Sequence, residues 1–170
     1  MRKIAAAWLL ALLPGLTLGA GGGQDLMHAD VDVTETASLQ RGAKHFANYC
    51  MGCHSLQYLR YSRAADDLNI PEDVLEERLI LDGSKAESTM VSNMDPQDAA
   101  EWLGAPAPDL SLTVRTRGAD WVYTYLNTFY RDPETSTGVN NLVLQGASMP
   151  HVLWTLQGMP EPVYEEGDHG

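Results

Sequence analysis

The run Cys50-Met51-Gly52-Cys53-His54 constrains this chain more than any other stretch. It is a C-x-x-C-H, the attachment pattern of a c-type haem. Each of its two sulfurs can add across one vinyl group of the same porphyrin. The histidine that follows is then held within reach of the iron from one face. When the sixth position is also filled, a haem held this way serves to move single electrons.

Other readings of the run are weaker. A dithiol redox pair needs a preceding strand in a βαβ context, and none is legible before Cys50. Zinc needs more ligands than the run supplies. The chain has 2 cysteines in all, and His28, His45, His151 and His169 show no H-x-x-x-H spacing. A Cys50–Cys53 disulfide would close too small a loop to stabilise much. The expected cofactor is therefore one covalent haem c on Cys50 and Cys53, with His54 as an axial ligand of the iron.

The N-terminus agrees with that chemistry. Arg2 and Lys3 precede an apolar run from Ile4 to Leu13, which Pro14 and Gly15 break before the small residues Thr17, Gly19, Ala20 and Gly21. That order is a secretory signal peptide, taken here as residues 1–20. The apolar run is short of the roughly 20 residues that a membrane span needs. Covalent haem attachment takes place outside the cytoplasmic membrane, so the chain is expected in a bacterial periplasm or equivalent space. With 170 residues it has room for one domain. Its 23 acidic residues against 11 Lys and Arg give a net charge of -12, which repels nucleic acid and suits a basic partner.

Periodicity predicts mostly helix and long loops. Ser38 reads as an N-cap. Leu39, Ala43, Phe46, Ala47 and Cys50 then share one helix face that leads into the haem motif. A second helix is expected from Pro71 to about Leu81. A third follows Asp95-Pro96 and stops at Gly104. A fourth starts with Asp120 as cap, buries Trp121, Val122, Tyr125, Leu126 and Phe129, and ends at Asp132-Pro133. Lys85 to Asn93 and Arg131 to Asn141 read as loops. A last short helical stretch spans Pro150 to Gln157, closed by Gly158. No alternating strand pattern is legible. The fold class is mostly α, a cytochrome c-like domain with long loops around one covalently attached haem.

The iron needs a second axial ligand, and methionine suits it because a soft thioether favours Fe(II). Past His54 the candidates are Met90, Met94, Met149 and Met159. Met149 is preferred because it sits in a late loop between small Ser148 and rigid Pro150. Met94, Met159 and His151 are the alternatives.

Beyond Cys50-Met51-Gly52-Cys53-His54-Ser55-Leu56, three stretches carry a family resemblance. They are Ala107-Pro108-Asp109-Leu110-Ser111, Arg115-Thr116-Arg117-Gly118-Ala119-Asp120-Trp121, and Thr137-Gly138-Val139-Asn140-Asn141 with Ser148-Met149-Pro150-His151. In this order the chain resembles cytochrome c1 of the proteobacterial kind, the haem subunit of the cytochrome bc1 complex. The resemblance implies haem on Cys50 and Cys53, His54 and Met149 as axial ligands, and Arg115 paired with a haem propionate. It also implies that the Pro108 segment packs beside the proximal histidine, with a backbone carbonyl able to accept its Nδ1–H. Two departures stand out. Ala107 replaces one of two adjacent prolines, and Trp121 stands where many relatives have tyrosine.

The implied function is electron transfer. The chain would take electrons from a Rieske iron–sulfur protein and pass them to a soluble c-type cytochrome. It would do so beside cytochrome b, in a ubiquinol–cytochrome c reductase complex on the periplasmic side of the membrane. It would be no enzyme by itself. The family continues with a further helix and a transmembrane anchor, so residues 21–170 are expected to be a haem domain without them. Two rivals are kept: a free soluble periplasmic shuttle, and a haem sensor or enzyme with an open sixth position.

Overall fold

A computed structural model describes residues 25–163. The expected signal peptide lies outside the described residues. Seven α-helices are present among them, joined by long irregular segments. None is long and apolar enough to cross a membrane.

The first helix, α1 (Thr36–His45), starts three residues earlier than Ser38 as its cap would have it. Its N-cap is Glu35, and the chain enters through a turn in which the Thr34 N–H and hydroxyl both donate to Asp32 Oδ1, at 2.8 and 2.6 Å. The helix then widens into a π turn over Phe46–Cys50, closed by Met51 N–H on Phe46 O at 3.0 Å. Such turns mark places where the helical register is shifted for a purpose. Here it delivers Cys50. Of the expected apolar face only Ala47 is fully buried.

Beyond the motif the structure has elements that periodicity missed. Strand β1 (Leu56–Arg60) runs directly into α2 (Tyr61–Leu68). The expected second helix follows as α3 (Glu72–Arg78), which opens after Pro71 and ends short of Leu81. Strand β2 (Thr89–Met90) pairs antiparallel with β1, within the stretch expected to be loop. Helix α4 (Pro96–Leu103) has the expected bounds. Asp95 Oδ1 accepts Gln97 N–H at 2.7 Å, Pro96 opens the helix, and Gly104 ends it at φ +84.

A short helix, α5 (Thr113–Arg117), turns at Gly118 into α6 (Ala119–Asn127). Asp120 is not the cap of α6; Gly118 holds that place. Nor does α6 reach Asp132. Phe129 belongs to β3 (Phe129–Arg131), which pairs antiparallel with β4 (Val139–Asn141). The last helix, α7 (Trp154–Gln157), is shorter than expected but does end at Gly158.

The core is split. One cluster gathers Ala47, Tyr61, Ala65, Leu75, Leu79, Ile80 and Met90, with Met51 of the motif packed against it. The other gathers Tyr125, Phe129, Val139 and Ala147, with Trp121, Leu126, Met149 and Met159 packed against it. The two share no residue.

An N-terminal strap ties to the second half. Met27 N–H donates to Thr124 Oγ1 at 2.8 Å, and Ala29 N–H donates to Asp120 Oδ1 at 2.9 Å. This contact is what Asp120 is used for. The Ala29 bond outweighs desolvation and, with His28 beside it, holds the Asp120 carboxyl below the usual carboxylate range. A depressed folded-state pKa stabilises above the unfolded value and loses that effect as pH falls through the folded one. The strap should therefore hold at neutral pH and loosen below about pH 4, where a free Asp begins to protonate. Amide exchange at Met27 and Ala29, followed from pH 6 to 3, checks this. In Asp120→Ala the Ala29 amide should exchange freely across the whole range.

Candidate functional site

The motif sits in a tight turn. Cys53 N–H and His54 N–H both donate to Cys50 O, at 3.0 and 2.8 Å. Neither cysteine is in a disulfide, and both are half-buried. Burial and the neighbouring Cys53 push the Cys50 thiol up. From below, the Tyr61 hydroxyl reaches Met51 Sδ at 3.4 Å. Tyr61 is almost wholly buried, and burial together with the Asp82 charge pushes its hydroxyl up to about 12. It therefore stays a donor under all ordinary conditions.

Ser92 clamps the turn from another side. Its hydroxyl donates to Gly52 O at 2.9 Å, its N–H donates to Ser55 Oγ at 2.9 Å, and Met94 N–H donates back to Ser92 Oγ at 3.1 Å. No sequence signal singled out Ser92. Its role depends on β2 lying beside β1, which periodicity did not reveal.

His54 is oriented by the chain itself. Its Nδ1 lies 2.8 Å from Pro108 O. A carbonyl can only accept, so Nδ1 carries the proton and Nε2 is left with its lone pair free for a metal. This is the contact that the Pro108 stretch led one to expect. Ala107, in place of a second proline, does not prevent it.

Met149 lies on the other half, half-buried against the second cluster. Met159 packs on the same cluster, so the expected alternative is near the same surface. Met90 is buried in the first cluster and serves as core. His151 is also buried; its ring stacks on Phe129 at 5.1 Å and its Nε2 meets Gly158 O at 3.1 Å. One of its nitrogens is thus already engaged.

Arg115 stands on α5, exposed, and its guanidinium has no ion-pair or hydrogen-bond partner among the described residues. Arg117, two residues on, lies over the Trp121 ring at 5.0 Å. Trp121 in turn stacks on Tyr125 at 5.2 Å, so a large ring at position 121 is packing and not a lost hydroxyl contact alone.

The donor set fits a haem and not a tetrahedral metal. Two free thiols, an imidazole nitrogen with its proton committed elsewhere, and a thioether on a separate half are what a covalently held porphyrin with iron needs. Among the described residues no three His, Cys, Asp or Glu side chains converge as a metal cage would require.

No protein-family model matches the chain. It is 48% identical over 165 residues to a protein named cytochrome c1 from Allochromatium vinosum, covering 97% of this chain and 68% of that protein. It is 43% identical over 152 residues to a protein from Nitrosomonas europaea named ammonia monooxygenase gamma subunit, covering 88% of this chain and 64% of that one. The chain thus spans about two thirds of the length of these curated relatives.

Proposed function

The chain belongs to the cytochrome c1 family, and from that premise we propose that it carries electrons through one covalent c-type haem as a subunit of a bc1-type oxidoreductase complex. Cys50 and Cys53 would hold the macrocycle, and His54 and Met149 would bind the iron. The observation that carries this reading is the Pro108 carbonyl at 2.8 Å from His54 Nδ1, next to two free thiols. It pre-sets the tautomer that a metal-binding histidine needs.

The haem, when bound, supplies a reversible Fe(III)/Fe(II) couple and an apolar plane. The protein supplies everything else. The core is split into two apolar clusters, with Met51 packed on one and Met149 on the other. A haem held by residues from both halves would tie the two together. Leu112 and Val114 offer exposed apolar surface on either side of Thr113. Arg115, without a partner of its own, is the cation for a propionate. Electron entry and exit make no covalent bond, so no side chain need act as acid, base or nucleophile.

Electrons would come from a Rieske iron–sulfur protein, with cytochrome b as a further neighbour, and would leave to a soluble c-type cytochrome. The place of action is the periplasmic face of the bacterial membrane. Residues 21–170 form the haem domain in this reading, after a signal peptide over 1–20.

The test is a reduced-minus-oxidised visible spectrum, with and without carbon monoxide, on protein exported in a host with haem-attachment machinery. A sharp low-spin α band unmoved by carbon monoxide is expected, and it should vanish in Cys50→Ser/Cys53→Ser after acid–acetone extraction. Ready carbon monoxide binding by the wild type would favour instead an open sixth position. Co-purification with a b-type cytochrome would separate a complex subunit from a free shuttle.

A further inference from the structure

Residues 108–111 are bonded along residues 54–58 at four points. His54 Nδ1 meets Pro108 O at 2.8 Å, Leu110 N–H donates to Ser55 O at 2.9 Å, Gln57 N–H to Asp109 Oδ2 at 2.9 Å, and Tyr58 N–H to Ser111 Oγ at 3.2 Å. Asp109 governs two of these. One of its oxygens takes the Gln57 N–H directly. The other accepts Ser111 N–H at 2.9 Å, and the Ser111 hydroxyl also bonds to the carboxylate, which holds Ser111 where it meets Tyr58.

The stretch leading in has little else to fix it. After Gly104 the chain passes through two prolines, which lack N–H groups, with no regular structure until α5. Pro108 itself is exposed. The place of its carbonyl is therefore set by the residues just after it. Burial pushes the Asp109 carboxyl up, but its bonds to Ser111 and Gln57 outweigh this and hold it below the usual carboxylate range. It is a charged acceptor at neutral pH, and charge-assisted bonds are the stronger kind.

We propose that Asp109 is a positioning residue for the proximal ligand: by fixing the Pro108 carbonyl on His54 Nδ1, it sets how strongly His54 donates to the haem iron. The inference rests on the reading of His54 as that ligand. An imidazole whose Nδ1–H is held by a well-placed acceptor is a more basic ligand, which favours Fe(III) and lowers the reduction potential. Asp109 touches neither haem nor iron; it acts only through Pro108.

The test compares holo wild type, Asp109→Ala and Asp109→Asn by potentiometric titration and by NMR exchange of the His54 ring N–H. Covalent haem is counted as the pyridine haemochrome. The potential should rise from wild type through Asp109→Asn to Asp109→Ala, because the amide keeps one acceptor oxygen and not two. The ring N–H should exchange faster in the same order. Should Asp109→Ala fail to retain haem, Asp109→Asn and Ser111→Ala decide the matter, both with smaller rises expected. Potentials equal to wild type in variants that keep their haem would overturn the proposal and leave the haem reading standing. New carbon monoxide binding in Asp109→Ala would also overturn it, since a general loosening of both haem faces would then explain the shift. Absence of covalent haem from the wild type would sink both readings together.

Discussion

Met149→Ala is expected to convert a closed haem into an open one. The reduced variant should bind carbon monoxide within the mixing time, whereas the wild type should not. The oxidised variant should lose the weak near-infrared band of iron bonded to thioether sulfur. Its midpoint potential should fall by some tenths of a volt, inside the span of about 0.8 V over which axial ligands set haem potentials. The direction follows from ligand softness: a thioether stabilises Fe(II), and water or hydroxide in its place stabilises Fe(III). Covalent haem content should not change, because Cys50 and Cys53 are on the other half of the core.

The same experiment discriminates among the other candidates for the sixth position. Met159 packs on the same cluster as Met149, so Met159→Ala is the matched control and should leave the sixth position closed. Met94 is tethered to Ser92, on the side of the motif itself. His151 is held between Phe129 and the Gly158 carbonyl. A Met149→Ala protein that stayed low-spin and closed would place the ligand at Met159 or Met94 and would contradict the assignment made here.

What could be read from the sequence was what local chemistry decides. The haem motif is contiguous, so its meaning does not depend on distant residues. Helix α4 had the expected bounds because Asp95, Pro96 and Gly104 each specify a backbone state on their own. The contact of His54 with the Pro108 carbonyl was legible only through resemblance, since the two residues are 54 positions apart.

What was missed is what tertiary contact decides. Strand β1 shows no alternation of exposed and buried residues, because it is bounded on one side by the haem turn and bonded to 109–111 through side chains. Phe129 has the spacing of the α6 apolar face, yet it lies in a strand. The reason is downstream: Asn141 takes the Tyr125 carbonyl and Thr128 hydroxyl that would otherwise face more helix or water. Asp120 and Ser38 are both good caps by residue type. Asp120 was claimed by the N-terminal strap, and Ser38 was pre-empted by the Asp32 turn. In both cases the outcome was decided by residues outside the helix, which residue type at the cap position does not reveal.

Asn141→Leu is the second change with a large expected effect, and it acts on stability. Asn141 is 0% exposed and is one of the two largest fully buried side chains among the described residues. Its amide donates to Tyr125 O at 2.7 Å. Its oxygen accepts Val143 N–H at 2.9 Å, Leu144 N–H at 3.2 Å and the Thr128 hydroxyl at 3.4 Å. Leucine has the same branched skeleton, but it is bulkier and offers none of these bonds. Each buried polar group stripped of a partner costs about 1–3 kcal/mol. Some of that cost will be relieved where Leu144, which is partly exposed, can reach water. The net loss should be about 4 kcal/mol, a large share of the 5–15 kcal/mol or so that holds a domain of this size together. Neighbouring Asn140 gives a comparison. Its oxygen accepts Asn141 N–H at 2.9 Å and Gly146 N–H at 2.8 Å near the surface, so Asn140→Ala should cost about 1 kcal/mol. Because the 141–147 loop leads directly to Met149, the damage should reach the haem before the whole domain unfolds. Partial carbon monoxide binding is expected in Asn141→Leu at denaturant concentrations well below its unfolding midpoint. A midpoint within error of wild type, at unchanged denaturant slope, would mean that the loop is held by its apolar contacts to Val139 and Ala147 and not by the asparagine.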